Sequence, residues 1–354
     1  MNILCEIIFY WRILKSLRLI EYRDVQMSKL LSLLLLLFSF SALADELKIT
    51  TWNIETLGAH EGRGFAGGFG RGNLPLRSDE QINAISSLIK NELLSDIIAV
   101  QEILITHTLE DGTSRNFQLD KIVYQLGEGW EYYLPPKESA GDSETMFLGF
   151  IWNSDKFDDV RINPMRLENQ YMAGKSLFDR IPLVGYFDVK HSDGEGNDFV
   201  LVNVHMGSGQ HNDENHLIAM TLIEYELTND MLENHIKESD RIILGDFNDN
   251  PYALTDAGNQ AYSSALYEHM EFKKYKNFVT ADLGSTRMDS ALKSTIDHIL
   301  INSSAQRHTI SEKAEIYRPL GGSTAYAEWR KTYSDHFPVS IILDISSSDD
   351  DVDF

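Results

Sequence analysis

The chain has 354 residues, 43% of them hydrophobic and 10% aromatic, which is enough apolar material for a full-sized core and excludes a largely disordered protein. Its 54 acidic and 31 basic side chains leave a net charge of −23, so bulk charge argues against tight binding of nucleic acid or anionic lipid unless a local basic patch or a bound divalent cation intervenes. A single cysteine, Cys5, excludes a disulfide framework.

Residues 28–44 begin with Ser28-Lys29, continue through a short leucine core and end on Ala42-Leu43-Ala44 before Asp45. That grammar predicts a secretory signal peptide cleaved after Ala44, too short to favour a membrane span. Met27 opens this segment, so residues 1–26 are expected to come from a start codon placed too far upstream; the alternative is a long n-region or an amphipathic anchor. Residues 1–44 carry five basic and three acidic side chains, so the part from residue 45 onward carries −25. It has no cysteine for a disulfide or a lipid, no membrane anchor is predicted in it, and export to a periplasm or the medium is expected.

From Asp45 onward short apolar runs alternate with helical stretches, which predicts one α/β domain over residues 45–345 with its strands in two central sheets. The first strand, Lys48–Asn53, ends on an amide. Gly58 to Gly72 follows, a loop with seven glycines plus Arg63 and Arg71 that either closes over substrate or stays a surface loop. Apolar spacing at Ile82, Ile85, Leu88 and Ile89 predicts a helix over Asp79–Leu94. A strand over Asp96–Glu102 ends on a carboxylate. Another is predicted over Phe147–Trp152, just after Glu144. Phe199–His205 ends on an imidazole, and a long helix is predicted over His211–Ile236. The run Arg241-Ile-Ile-Leu-Gly-Asp246-Phe-Asn248 then delivers a carboxylate and a carboxamide two positions apart. Thr295-Ile-Asp297-His298-Ile and Ser334-Asp335-His336-Phe-Pro-Val place polar residues at the start of or inside their apolar runs. The tail 346–354, with Asp349-Asp350-Asp351, reads as a solvated disordered end.

Acids, amides and histidines thus gather at strand ends along one rim, where an unpartnered charge is costly. A hard cation such as Mg²⁺ takes carboxylate and amide oxygens, so Glu102, Asp246, Asn248 and Asp335, with Asn53 close by, form a suitable set of ligands and neighbours. Taken singly, each would more often be a surface or capping residue. His205 and His336 titrate near neutrality and suit proton transfer.

Asn53, Gln101-Glu102, Asn203 to His205, Gly245 to Asn248, Asp297-His298 and Ser334 to His336, in this order, resemble the motif set of the endonuclease/exonuclease/phosphatase superfamily over about residues 47–345. The resemblance implies a four-layered α/β sandwich, two central mixed β-sheets flanked by helices, and a metal-dependent hydrolase of phosphoester bonds. It implies that Glu102 is the principal metal ligand, with Asp335, Asn53 and Asp246 completing the metal set. Asp246 and Asn248 would hold the attacking water and the scissile phosphate, Asp297 would partner His336, and Glu144 would orient His205. Arg180, before Pro182, would grip a substrate phosphate as a bidentate guanidinium, the alternative being a surface arginine at a strand start. His298 is expected to be structural, and His60, His107, His191 and His211 to be loop residues.

The expectation is an exported phosphodiesterase using Mg²⁺ or Mn²⁺, with Ca²⁺ a further candidate, acting as a nuclease on DNA or RNA. It is expected to be a monomer without a stable protein partner. A sphingomyelinase-like phospholipase C needs an exposed apolar docking hairpin, for which Tyr132-Tyr133-Leu134-Pro135-Pro136 is the nearest candidate. An inositol-phosphate phosphatase needs a dense basic site, which the acidic composition disfavours. A binding module with its chemistry lost is a further alternative, and a chelator together with Asp246→Ala separates it from an enzyme.

Overall fold

The structure is a computed structural model that describes residues 46–58, 76–137, 146–167, 171–172, 175–190, 197–208, 213–233, 238–252, 264–288, 294–320 and 322–346. The expectations for residues 1–45, for the glycine-rich loop beyond Gly58, for Glu144, for His60, His191 and His211, and for the tail after Ser346 lie outside the described residues. The chain separates into two compact units, Met1–Glu46 and Leu47–Phe354, and the second carries both large sheets and the helices packed on them.

In chain order the elements are β1 (Glu46–Leu57), α1 (Asp79–Leu88), β2 (Ile97–Ile103), β3 (His107–Thr108), β4 (Ser114–Arg115), α2 (Phe117–Leu126), β5 (Trp130–Tyr133), β6 (Phe147–Asn153), β7 (Phe157–Pro164), β8 (Tyr171–Met172), β9 (Lys175–Ser176), β10 (Leu183–Val189), β11 (Asp198–His205), α3 (Asp213–Glu233), β12 (Arg241–Asp246), α4 (Ser264–Phe272), β13 (Tyr275–Asn277), β14 (Asp297–Asn302), β15 (Glu315–Ile316), α5 (Gly322–Thr332) and β16 (Val339–Asp344). Two six-stranded mixed sheets carry the fold, in the orders β15-β16-β1-β2-β6-β5 and β13-β14-β12-β11-β10-β7. The expected four layers are present.

The period of two in the strands assigns the faces. In β2, Ile97 and Ala99 point to the core between the sheets, while Ile98 and Val100 point outward. Ile242 and Leu244 of β12 likewise meet the inter-sheet core, and Ile243 faces the opposite way. Both faces of each central strand are therefore buried, which is why these segments read as nearly continuous apolar runs. The outer face of the first sheet packs on Ile82, Ile85 and Leu88 of α1, on Leu119 and Ile122 of α2, and on Trp329 of α5. That of the second packs on Met220, Ile223 and Leu227 of α3 and on Leu266 and Met270 of α4. Each such side chain removed from water contributes about 1.5–3 kcal/mol.

Helix α1 starts at Ser78, whose hydroxyl accepts from the Gln81 amide while the Gln81 side chain accepts from the Ser78 amide. The expected helix to Leu94 instead ends its α-helical part at Leu88 and continues as a π turn over Ile89–Leu93, closed by Leu94 in the left-handed region at φ 51°. Both Ile89 and Leu93 are buried by that wider turn. Strand β1 runs past the expected end at Asn53, and its pairing with β2 shifts register between Asn53 and Leu57. Glu55 and Thr56 have φ of 50° and 57° inside this irregular stretch. His107 stands on the exposed two-residue strand β3 rather than in a loop. Among the described residues no helix is long and apolar enough to cross a membrane.

Three hydrogen bonds through Asn203 join the sheets inside their core. Gln101 Nε2 donates to Asn203 Oδ1 at 2.8 Å, and Asn203 Nδ2 donates to the Val100 and Gly149 carbonyls at 3.0 and 2.9 Å. Neither residue is exposed to any degree. These amides belong to the same motifs as Glu102 and His205, and they fasten one sheet to the other immediately beneath the rim.

Candidate active site

Three neighbouring strands of the second sheet set three of the expected residues side by side. Parallel pairing of β11 with β12 places His205 opposite Asp246, and antiparallel pairing of β12 with β14 places Asp246 opposite Asp297. Gly245, just before Asp246, has φ 147°, and a Cβ there would lie 2.0 Å from the Val204 carbonyl oxygen. Only glycine allows β12 to approach β11 that closely.

The first sheet supplies the facing half. Asn53 Nδ2 donates to Glu102 Oε1 at 3.1 Å and to Asp246 Oδ2 at 3.0 Å, so one amide bridges two carboxylates from different sheets. The Asn53 carbonyl accepts from Ser334 Oγ at 2.6 Å, which fixes the segment before β16. Strand β16 begins at Val339, just after Pro338, so Asp335 and His336 lie ahead of it. Asp297 of the second sheet holds His336 of the first, with Nδ1 donating to Oδ2 at 2.8 Å.

Asp246 is 1% exposed, and its Oδ2 lies 3.5 Å from His205 Nε2 and 3.7 Å from His336 Nε2. Burial raises its pKa above the ordinary carboxylate value, with Asp297 adding to the shift and His336 opposing it. The two histidines diverge. Burial lowers His336, but the charges of Asp297, Asp246 and Asp335 outweigh that and bring it up to about 10. For His205 burial is again the largest cause, and the positive charges of Arg180, His336 and Arg287 act in the same direction, so it lies well below 6.5. A neutral imidazole and an imidazolium therefore flank one carboxylate. Opposed shifts of this kind mark acid and base roles at neutral pH.

Asn248, at φ 47°, donates its Nδ2 to the Met206 carbonyl at 2.8 Å, and its backbone N–H donates to Asp246 Oδ1 at 2.9 Å. Glu102 is left-handed as well, at φ 62°. Residues other than glycine cost roughly 1–3 kcal/mol in such conformations, and they concentrate where a side chain must be aimed. Arg180 is partly buried and close enough to depress His205, and its Nε is buried without a hydrogen-bond partner among the described residues. His205 Nδ1 is in the same condition. His298 is fully buried, its Nε2 donating to the Asp249 and Thr295 carbonyls at 3.0 Å each, and its ring stands edge-on to Phe247.

Asp297, Asp246 and His336 offer ligand atoms within 4.8 Å of one another. His336 Nδ1 donates to Asp297 while its Nε2 faces Asp246 Oδ2 at 3.7 Å, so the imidazole already stands between the two carboxylates and suits a proton relay more than a metal cage. Glu102 and Asp246 provide hard carboxylate oxygens of the kind Mg²⁺ or Mn²⁺ prefers, Glu102 being partly open to solvent, whereas Asn53 turns its NH2 toward both and its oxygen accepts from the Glu55 amide.

Several residues at the site lack any local signature in the sequence. Arg287 directs Nε and Nη2 at Asp335 Oδ2, at 3.3 and 3.2 Å. Arg330 places Nη2 2.8 Å from Glu55 Oε1, and Glu55 Oε2 accepts from the Asp335 amide at 2.9 Å. His216 Nε2 donates to the Gly207 carbonyl at 2.8 Å and its Nδ1 faces Asp249 Oδ2 at 3.7 Å, tying α3 to the loop after β12. The one available signal was position: Arg287 lies on the return toward Asp297, where nothing in the apolar pattern distinguishes it. The aromatic stretch after α2 is not an exposed hairpin. Tyr132 and Leu134 are buried, and the Tyr132 hydroxyl donates to Asp120 at 2.7 Å.

A double-layered sheet sandwich with this acid and histidine rim defines a hydrolase scaffold for phosphoester bonds. Residues 50–336 match the Endonuclease/Exonuclease/phosphatase family, and the chain belongs to that family. Solved structures with the same fold include the mannosyl-6-phosphatase Bt3783 of Bacteroides thetaiotaomicron, at 16% identity and a TM-score of 0.51 over 84% of this chain and 99% of that one. The human Nocturnin catalytic domain with bound sulfate anion is similar at 13% identity and a TM-score of 0.52, over 85% and 95% of the two chains. A family protein from Beutenbergia cavernae is similar at 14% identity and 0.51, over 86% and 72%. No curated protein matches the chain by sequence.

Proposed function

We propose that the protein is an exported, divalent-cation-dependent phosphodiesterase that hydrolyses nucleic acid, with the leader over residues 27–44 removed after Ala44 and the folded domain acting as a monomer. The observation that carries this reading is Asp246 held between His205 and His336, with Asn53 linking it to Glu102. Glu102 and Asp246, with Asn53 between them, are the residues that would hold Mg²⁺ or Mn²⁺; when bound, the cation lowers the charge barrier on the phosphate and the pKa of a bound water. Asp246 accepts the proton of the attacking water, its Oδ2 being buried within 3.5 Å of His205 Nε2 and 3.7 Å of His336 Nε2. His336, charged and fixed by Asp297, presents Nε2 to the phosphoryl oxygens and stabilises the negative charge that grows there. Arg180 lies on the His205 side, where a guanidinium can take two oxygens of a phosphate in the nucleic-acid backbone.

One feature supports a nucleic acid over a lipid: the Tyr132 to Leu134 stretch is packed into the fold and offers no exposed apolar docking hairpin. Supercoiled plasmid incubated with purified protein and Mg²⁺ should be nicked, and both EDTA and Asp246→Ala should abolish nicking. A protein that spares DNA and RNA but hydrolyses mannose 6-phosphate, the class of substrate named for Bt3783, or sphingomyelin, would replace the nuclease reading with a phosphatase or phospholipase.

A further inference from the structure

Asp335 differs from the other carboxylates of the site in its surroundings. Both Nε and Nη2 of Arg287 reach the same oxygen, Asp335 Oδ2, at 3.3 and 3.2 Å, and Arg330 Nη2 lies 3.6 Å from it. His336 Nε2 stands 3.9 Å from the other oxygen. Asp335 is therefore enclosed by cationic groups, at 7% side-chain exposure, while Glu102 meets an amide and a hydroxyl.

The main chain makes the arrangement rigid. Met288 N–H donates to the Asp335 carbonyl at 2.7 Å, Phe337 N–H donates to the Thr286 carbonyl at 2.8 Å, and Arg287 pairs with His336 in an antiparallel bridge. Segment 286–288 is thus stitched directly against 335–337. Arg330 is held in turn by Glu55, whose other oxygen accepts from the Asp335 amide. A dication arriving at Asp335 Oδ2 would have to displace a two-point guanidinium and then sit beside a second one, against like charge. Arg287 nevertheless remains 43% exposed, so part of its guanidinium is open to a substrate phosphate.

We propose that Arg287 stands in place of a second metal ion: the protein holds one divalent cation, on the Glu102 side, and Arg287 anchored on Asp335 supplies the second positive charge to the phosphate. Asp335 is then an arginine anchor and not a metal ligand. The proposal rests on the reading of a divalent cation at Glu102.

Mn²⁺ titration of the chelator-stripped full chain, followed by electron paramagnetic resonance and calorimetry, reads the stoichiometry directly. One ion per chain is expected, lost in Glu102→Gln and retained in Asp335→Asn. With bis(p-nitrophenyl) phosphate as substrate, Arg287→Ala should lose at least about 10²-fold in kcat/KM. Its Mn²⁺ affinity should stay within about threefold, and Arg287→Lys should recover part of the rate. Two ions in the wild type, or an ion lost in Asp335→Asn that is folded by circular dichroism, would overturn the proposal while leaving the phosphodiesterase intact. Should Asp335→Asn not fold, unchanged turnover in Arg287→Ala overturns it equally. Absence of any Mn²⁺ binding would remove the cation at Glu102 itself, and this inference with it.

Discussion

His205 and His336 approach the same oxygen of Asp246, at 3.5 and 3.7 Å, one from the end of β11 and the other from the segment ahead of β16, and their surroundings drive them to opposite protonation states. The difference follows from their partners. His336 has Asp297 on Nδ1, whereas His205 meets Arg180 and Arg287 and has no carboxylate on Nδ1 among the described residues.

The His336 shift makes stability depend on pH. A group raised from 6.5 to about 10 in the folded state contributes stability that is fully present below pH 6.5 and is lost as the pH rises through about 10. The melting temperature in EDTA should fall across that window. Asp297→Asn removes the main partner, so its curve should be flatter and start lower, and its kcat should drop by about 10²–10⁴ because the imidazole loses both charge and orientation. An Asp297→Asn protein with the wild-type pH dependence would disconnect this pair from His336.

Arg180→Ala should act on substrate use. KM is expected to rise about tenfold with kcat changed much less, as for a residue that binds ground and transition states alike. The same variant has a spectroscopic consequence: His205 should titrate higher by NMR yet remain below 6.5, since burial is the larger cause of its depression. No movement of the His205 resonance would place Arg180 away from the site.

At Gly245 the test is steric. Alanine would set its Cβ against the Val204 carbonyl at φ 147°, so Gly245→Ala should lose about 3 kcal/mol or more in urea unfolding, far more than a helix-surface glycine would. A neutral effect would show that β11 and β12 can separate without harm.

Far from the rim, just before β12, Glu238 is buried against Asp198 and Asp240 and is raised to about 11, burial being the largest cause and the hydrogen bond with Asp198 the next. Its contribution is present below pH 4.5 and declines as the pH rises toward 11, because the unfolded chain ionises first. Glu238→Gln keeps a carbonyl oxygen for the Asp240 amide and gives Asp198 a permanent donor. It should raise the melting temperature at about pH 7–8 and leave it unchanged near pH 4.

Much of the site was legible in the sequence because each strand ends on the residue that matters. Asn53, Glu102, His205, Asp246 and Asp297 each close or open an apolar run, and register then sets them together. Helix α3 was legible for a similar reason, since Leu217 to Leu227 repeats at helical spacing. The arginines were not. Arg287 and Arg330 reach Asp335 from 48 and 5 residues away, on a loop and on a helix end, and only the folded chain brings them to one oxygen. Likewise Gln101 and Asn203 could be read as motif members, whereas their pairing across 102 residues could not. The π turn after Leu88 was invisible too, because Ile89 and Leu93 fit an ordinary helical spacing equally well.

The order of the first sheet, with β16 beside β1, makes the earliest and the latest strands of the domain neighbours. His336 is delivered just before β16, and its partner Asp297 belongs to the other sheet. The contacts around Asp246 are therefore completed only when the last strand docks beside the first, so closing the sheet and assembling the site are one event.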